Sequence, residues 1–124
     1  MASELRVNTL KDASGNNSVA MSFVSNGSAK VYLLSNAGAA ASASLNVSGM
    51  TDNGTGDYTT SFSSAFGSTN YAHSLSASKE TGDVTVGTNI VSRLAGSLRN
   101  ECGRDDSTLT DSGSFCASMF GDLA

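Results

Sequence analysis

Side chains able to do chemistry are few in this chain. One histidine (His73), two cysteines (Cys102 and Cys116) and eleven Asp and Glu against seven Lys and Arg are spread over 124 residues. Nucleophilic catalysis needs a base beside its nucleophile. His73 lies within Asn70-Tyr71-Ala72-His73-Ser74-Leu75-Ser76-Ala77, whose alternation puts Tyr71, His73 and Leu75 on one strand face and Ser74 on the other. A local Ser-His pair is therefore excluded, and a half-buried or interface imidazole is the expectation. The acidic run Asp52-Asn53-Gly54-Thr55-Gly56-Asp57 invites a calcium reading. An EF-hand, however, needs oxygen side chains at its first, third and fifth positions, where this run has Asp52, Gly54 and Gly56. A hairpin turn rich in Asn and Gly accounts for it better, and Asp105, Asp106 and Asp111 read as a second solvated turn. Polysaccharide hydrolysis would need two carboxylates about 5 to 9 Å apart across a groove, and nothing in the spacing places Asp57, Glu80, Asp83, Glu101 or Asp105 that way. Two cysteines and one histidine are too few for a zinc site, and no glycine-rich phosphate cradle precedes a helix. No catalytic residue, metal ligand or cofactor is expected. The exposed-loop residues that remain as binding candidates are Asp52, Asn53, Asp57, Asp105, Asp106 and Asp111.

Cys102 and Cys116 flank a loop and would be neighbours in a terminal hairpin. A disulfide there would contribute about 3 kcal/mol by restricting the unfolded chain. In a reducing cytoplasm it does not form, and a reduced, buried Cys116 is the default.

The elements that must hold these groups read as strands. Leu5-Arg6-Val7 opens the chain, and Lys11 to Asn17 supplies turn chemistry, with Gly15 or an Asn free to take positive φ. Val19-Ala20-Met21-Ser22-Phe23 alternates like a strand, Asn26-Gly27 signals a hairpin, and Lys30-Val31-Tyr32-Leu33-Leu34 returns. Residues 35–44 are a run of small residues, better read as a linker or small-residue strand than as a helix because Gly38 interrupts it. Leu45 to Ser48, Tyr58 to Phe62, Tyr71 to Ala77, Val84-Thr85-Val86, Ile90 to Leu94 and Ser114 to Phe120 continue the series, with a helical turn as the alternative over Arg93 to Arg99. Some eight or nine strands at this spacing imply an all-β chain, a β-sandwich or jelly-roll-like domain.

The composition sets a constraint on that domain. Only 24 residues, about 19%, are Leu, Ile, Val or Phe, a level at which a core is hard to build. A formal charge of −4 is too small for the self-repulsion of disordered chains. A small fold that shares its apolar faces among copies of itself satisfies both facts. Scattered basic residues in an acidic chain argue against nucleic acid as a partner. No apolar stretch is long enough for a membrane span. The opening Met1 to Arg6 lacks the pattern of a secretory signal, so folding in a cytoplasm is expected. The Asn-x-Ser/Thr triplets at Asn16, Asn26, Asn46 and Asn53 then carry no weight as glycosylation sites.

Two stretches, Leu5 to Asn17 and Leu45-Asn46-Val47-Ser48-Gly49-Met50-Thr51-Asp52-Asn53-Gly54-Thr55-Gly56-Asp57-Tyr58-Thr59, together with the closing Phe115 to Asp122, resemble tail-fibre and appendage proteins of tailed bacteriophages, particularly marine and cyanophage types. The resemblance implies a non-enzymatic virion protein, made in the host cytoplasm, usually a homotrimer. Residues 1–44 would form an extended N-terminal virion-attachment segment and residues 45–124 an outward-facing β-sandwich domain. Leu5, Val7, Leu10, Val19, Met21 and Phe23 would then serve attachment. Tyr58, Phe62, Phe66, Tyr71, Leu75, Phe115 and Phe120 would form the core or the trimer interface. Expected partners are copies of itself and other virion proteins of the tail, adaptor or capsid. Alternatives are a host receptor- or glycan-binding module and a capsid decoration or head-fibre protein.

Overall fold

The computed structural model describes residues 3–36, 39–78, 86–104 and 108–124. Its elements are β1 (Thr9–Lys11), β2 (Ser18–Ala20), α1 (Met21–Gly27), β3 (Val31–Asn36), β4 (Ala41–Leu45), β5 (Val47–Gly54), β6 (Asp57–Phe62), β7 (Ala72–Ser78), β8 (Val86–Leu94), β9 (Ser97–Arg104) and β10 (Ser114–Phe120). The fold is all-β: two four-stranded antiparallel sheets, ordered β4-β3-β10-β7 and β5-β6-β9-β8, form a sandwich, and β1 and β2 pair outside it.

Alternation decides what is inside. Val31, Leu33 and Ser35 of β3, and Phe115, Ala117 and Met119 of β10, face Tyr58, Thr60 and Phe62 of β6 and Leu98, Asn100 and Cys102 of β9; all twelve are buried. Leu75, Ala77, Val47, Met50 and Ile90 pack half-buried around them. At one end Phe66 stacks on Tyr71 with centroids 4.2 Å apart, and Phe62 meets both rings edge-on. The Tyr71 hydroxyl donates to the carbonyls of Leu94 and Ser97 at 3.1 and 3.2 Å, so the ring is buried without stranding its polar tip.

One residue turns the chain from the first sheet to the second. Asn46, between β4 and β5, sits at φ +57, a left-handed conformation that Asn tolerates better than most side chains. Its Nδ2 donates to the Ser64 carbonyl at 3.0 Å and its Oδ1 accepts from the Ser64 N–H at 2.7 Å. The crossover is thereby clamped to the chain leaving β6.

Three expectations are corrected. Val19 to Phe23 is not a strand: β2 stops at Ala20, and Met21–Gly27 is a helix that takes in Asn26-Gly27, the presumed hairpin turn. The short partner β1 gives out at Asn8, whose carbonyl accepts from the Met21 N–H at 2.9 Å. Beyond that point only a helix satisfies the backbone locally. The division after residue 44 falls inside β4, and β3 joins the sandwich by pairing along its length with β10. Residues 35–44 are therefore the end of β3, a connection containing Ala37 and Gly38, which lie outside the described residues, and most of β4. Lastly, Cys102 and Cys116 form no disulfide: β9 and β10 belong to different sheets, Cys102 points into the core, and Cys116 points out and is exposed. Phe115, Ala117 and Met119 are the buried positions of β10, so position 116 between them faces outward, on the same side as the half-buried Phe120.

Candidate functional site

The acidic candidates converge on the β5–β6 hairpin. The turn is tighter than the sequence suggests, with Thr55-Gly56 between paired Gly54 and Asp57. Gly56 has φ +67 and is buried. Its N–H donates to Asp111 Oδ1 at 2.7 Å and its carbonyl accepts from the Cys102 N–H at 2.7 Å. A Cβ at Gly56 would lie 2.5 Å from the Cys102 carbonyl oxygen, so only glycine fits. The same Asp111 oxygen accepts from the Tyr58 hydroxyl at 3.1 Å. Burial foremost, then the Asp111 carboxylate, pushes the Tyr58 phenol up to about 12. Asp111, expected as a free loop carboxylate, instead ties this turn to the segment that precedes β10.

Asp57 also departs from expectation. Expected in an exposed loop, it is only 8% exposed. Arg99 of β9 donates to both its oxygens, Nε to Oδ1 at 2.9 Å and Nη2 to Oδ2 at 2.5 Å, and Asn53 Nδ2 donates at 3.2 Å. The Arg99 guanidinium, with help from Asn53, holds the carboxyl below the usual aspartate range. Asn53 also donates to Thr59 Oγ1 at 2.9 Å, and Asp52 Oδ1 receives the Gly54 N–H at 2.9 Å. Asp52 and Asn53 remain exposed, yet their polar atoms serve the hairpin. Asp105, Asp106, Glu80, Asp83 and the pair Val84-Thr85 lie outside the described residues.

The sheet brings Asp57 and Glu101 into register opposite each other across β6 and β9, a juxtaposition the spacing did not foretell. A carboxylate pair doing acid-base work needs one member that keeps its proton near neutral pH. Asp57 is driven the other way by Arg99, so it has the chemistry of a structural ion pair. Beside it, a shallow cleft of about 290 Å³ is lined by Thr88, Asn89, Glu101, Arg104 and Leu109 among others. His73 is half-buried on the inner side of β7, its Nδ1 shielded and without a hydrogen bond to any described residue, and Ser74 faces the other way. Among the described residues, no three His, Cys, Asp or Glu gather as metal ligands would.

The aromatic set is inside: Tyr58, Phe62, Phe66, Tyr71 and Phe115 are buried and Leu75 and Phe120 half-buried. The N-terminal set is outside. Leu5 and Phe23 are 80% and 74% exposed, Leu10 and Val19 are exposed, and Val7 and Met21 are half-buried. The residues that sequence reasoning missed are Asn46, visible only as part of a glycosylation triplet, and Arg99, whose role depends on a strand pairing between distant segments. No protein-family model, curated protein or solved structure matches the chain.

Proposed function

We propose that this chain is a structural, non-enzymatic subunit of a tailed-phage virion, a short tail fibre or appendage that attaches through its N-terminal segment and displays its sandwich outward as a homotrimer. The observation that carries this reading is the contrast between the two parts of the chain. The sandwich closes its own core, whereas residues 3–28 form a three-residue ribbon and a seven-residue helix without one fully buried side chain. A two-stranded ribbon is marginal alone, and a helix of two turns is too short to persist by propensity. Apolar side chains such as Leu5, Leu10, Val19 and Phe23, held on so small a scaffold, suit a segment that orders fully against a partner. The remaining chemistry fits a mechanical role, since the polar groups around Asp57 and Asp111 are spent on fastening strands and loops together.

The test is whether the protein travels with particles. Virions from the source culture, banded by density and freed of soluble protein, are analysed by mass spectrometry. Peptides of this chain in stoichiometric amount are expected, and protection of residues 3–28 from protease in the particle but not in the free protein locates the attachment. Absence of the chain from banded particles refutes the reading.

A further inference from the structure

The chain holds the dipeptide Asn-Gly twice, at Asn26-Gly27 and Asn53-Gly54, and the fold puts the two in opposite surroundings. An asparagine followed by glycine can lose its own side-chain amide. The backbone nitrogen that follows it, once deprotonated, is already next to the Cγ it attacks, and placement of that kind replaces an encounter from solution. Glycine keeps the approach clear, having no Cβ beside that nitrogen. The fold decides whether nitrogen and amide are free to meet, and whether the charges nearby favour or oppose the backbone anion.

At the β5–β6 hairpin both groups are held. The Gly54 N–H donates to Asp52 Oδ1 at 2.9 Å, and a carboxylate acceptor resists loss of that proton. Asn53 Nδ2 donates to Asp57 Oδ1 at 3.2 Å and to Thr59 Oγ1 at 2.9 Å, so the amide that would have to leave is bonded twice. The turn beyond is fastened by Gly56 to Cys102 and Asp111. Helix α1 offers none of these restraints. It has seven residues, none of them buried, and no side-chain hydrogen bond at its N-cap, so it is too short to persist by propensity. Asn26 and Gly27 are exposed in its last turn, where a helix opens most readily, and the Asn26 amide has no hydrogen bond to a described residue. Charge differs as well. Lys30 Nζ donates to the Ser25 carbonyl and, at 2.9 Å, to Ser28 Oγ, so an ammonium spans Asn26-Gly27 and favours an anion there. Asn53-Gly54 lies between the carboxylates of Asp52 and Asp57, which oppose one.

We propose that Asn26 is a self-modification site, converted by its own chain to aspartate and isoaspartate, and that the β5–β6 hairpin keeps Asn53 from the same reaction. The Gly27 nitrogen gives its proton to solvent base and attacks Asn26 Cγ. The new N–Cγ bond closes a five-membered succinimide as the Cγ–Nδ2 bond breaks, and ammonia leaves with a proton from solvent. Water then adds to one of the two ring carbonyls. Addition at Cγ breaks the new bond and yields aspartate on an unaltered backbone. Addition at the main-chain carbonyl breaks the original peptide bond and leaves the chain running through Cγ, as isoaspartate. The balance is amide plus water giving acid plus ammonia, with nothing oxidised or reduced. Either product puts a negative charge at the C-terminal end of α1, where the helix dipole opposes it. Isoaspartate also adds a backbone carbon that the regular ladder of helical bonds has no place for, so conversion removes the helix from residues 21–27. The chemistry needs no partner and does not depend on the virion reading.

The full chain, freshly purified, is held folded in mildly alkaline buffer, sampled over days, and digested with trypsin under weakly acidic conditions that stop the reaction. Cleavage after Lys11, Lys30 and Lys79 puts the two sites on separate peptides, 12–30 and 31–79, and fragmentation in the mass spectrometer places the amide-to-acid mass gain on individual asparagines. In the folded protein, conversion at Asn26 is expected to be at least about tenfold faster than at Asn53, because α1 opens far more often than the hairpin. In concentrated urea, where only the shared dipeptide remains, the two rates are expected to come together. Asp52→Ala removes the acceptor of the Gly54 N–H and is expected to raise the Asn53 rate about fivefold, the effect of one hydrogen bond, with the Asn26 rate unchanged. Equal rates at the two sites in the folded protein, or an Asn26 that stays intact while the unfolded chain converts, overturn the proposal. An Asn53 rate unchanged in Asp52→Ala overturns the protection assigned to the hairpin.

Discussion

Replacing Gly56 by alanine should be among the most damaging single-methyl changes this protein can suffer. The added Cβ would stand 2.5 Å from the Cys102 carbonyl oxygen, 2.7 Å from that of Thr110 and 2.9 Å from the Thr110 nitrogen. All three are backbone atoms, so no side chain can swing aside, and restoring ordinary contact requires a shift of about 1 Å. Such a shift breaks the 2.7 Å bonds from Cys102 N–H to the Gly56 carbonyl and from the Gly56 N–H to Asp111. Each group left without a partner costs about 1–3 kcal/mol, and a non-glycine residue at φ +67 adds about 1–2 kcal/mol. With one group stranded at each of the two bonds, the sum is about 3–8 kcal/mol, against a total stability of about 5–15 kcal/mol for a domain of this kind. Gly54→Ala is the control. It has φ +140 but open space around its would-be Cβ, so only backbone strain of about 1–3 kcal/mol applies. Urea unfolding followed by circular dichroism and tyrosine fluorescence measures both. If the two variants lose the same stability, the close approach of Gly56 to the 102–110 backbone is not what the residue is there for.

Three further outcomes are expected. Asn46→Ala should lose about 2–4 kcal/mol, from its left-handed backbone and its two bonds to Ser64, while Asn46→Gly recovers only the backbone part; denaturant midpoints of the two variants check this. Tyr58 and Tyr71 both have phenols pushed up to about 12, chiefly by burial. The folded state therefore holds these protons more tightly than the unfolded state, and the stability they confer, complete below pH 10, is lost as pH rises from 10 toward 12. Ultraviolet absorbance of tyrosinate should rise together with loss of circular dichroism in that window. The Asp57 carboxyl is lowered by Arg99, so its contribution is present above the unfolded aspartate value near 3.9 and is lost as pH falls below it toward and through the lower folded value. Asp57→Asn should have a lower midpoint than wild type at pH 7 and a flatter decline below pH 4.

Several elements were legible in the sequence for local reasons. The turn before β2 was announced by its Asp, Gly and Asn residues, and it forms with Gly15 at φ +72 and the Asp12 carboxylate accepting from Ser14, Asn16 and Asn17. Strands β3, β6 and β7 follow from period-two alternation, including the inward side for His73 and Leu75 and the outward side for Ser74. Helix α1 was misread because the alternation of Val19, Met21 and Phe23 describes a pleated surface only where a neighbour continues the ladder. That neighbour ends at Asn8.

The candidate site was less legible than the strands. The turn residues Asp52 to Asp57 were recognisable as a turn, but that Asp57 is buried under Arg99, or that Asp111 holds Gly56 and Tyr58, depends on segments more than 40 residues apart in sequence. Charge and polarity mark such residues as solvent-facing by default, and only a specific partner reverses that.

The sequence by itself determined the all-β character and, for strands such as β3, β6, β7 and β10, which side is apolar, because these depend on neighbours within a few residues; β9, a central strand of the second sheet, was not recognised as a strand. Tertiary structure alone decided how the strands are shared between two sheets, that β3 belongs with β10, and that the thiols part company. Strand pairing is a contest among all the chain's edges at once, settled by how much apolar surface each arrangement buries, and no local pattern carries the result of that contest.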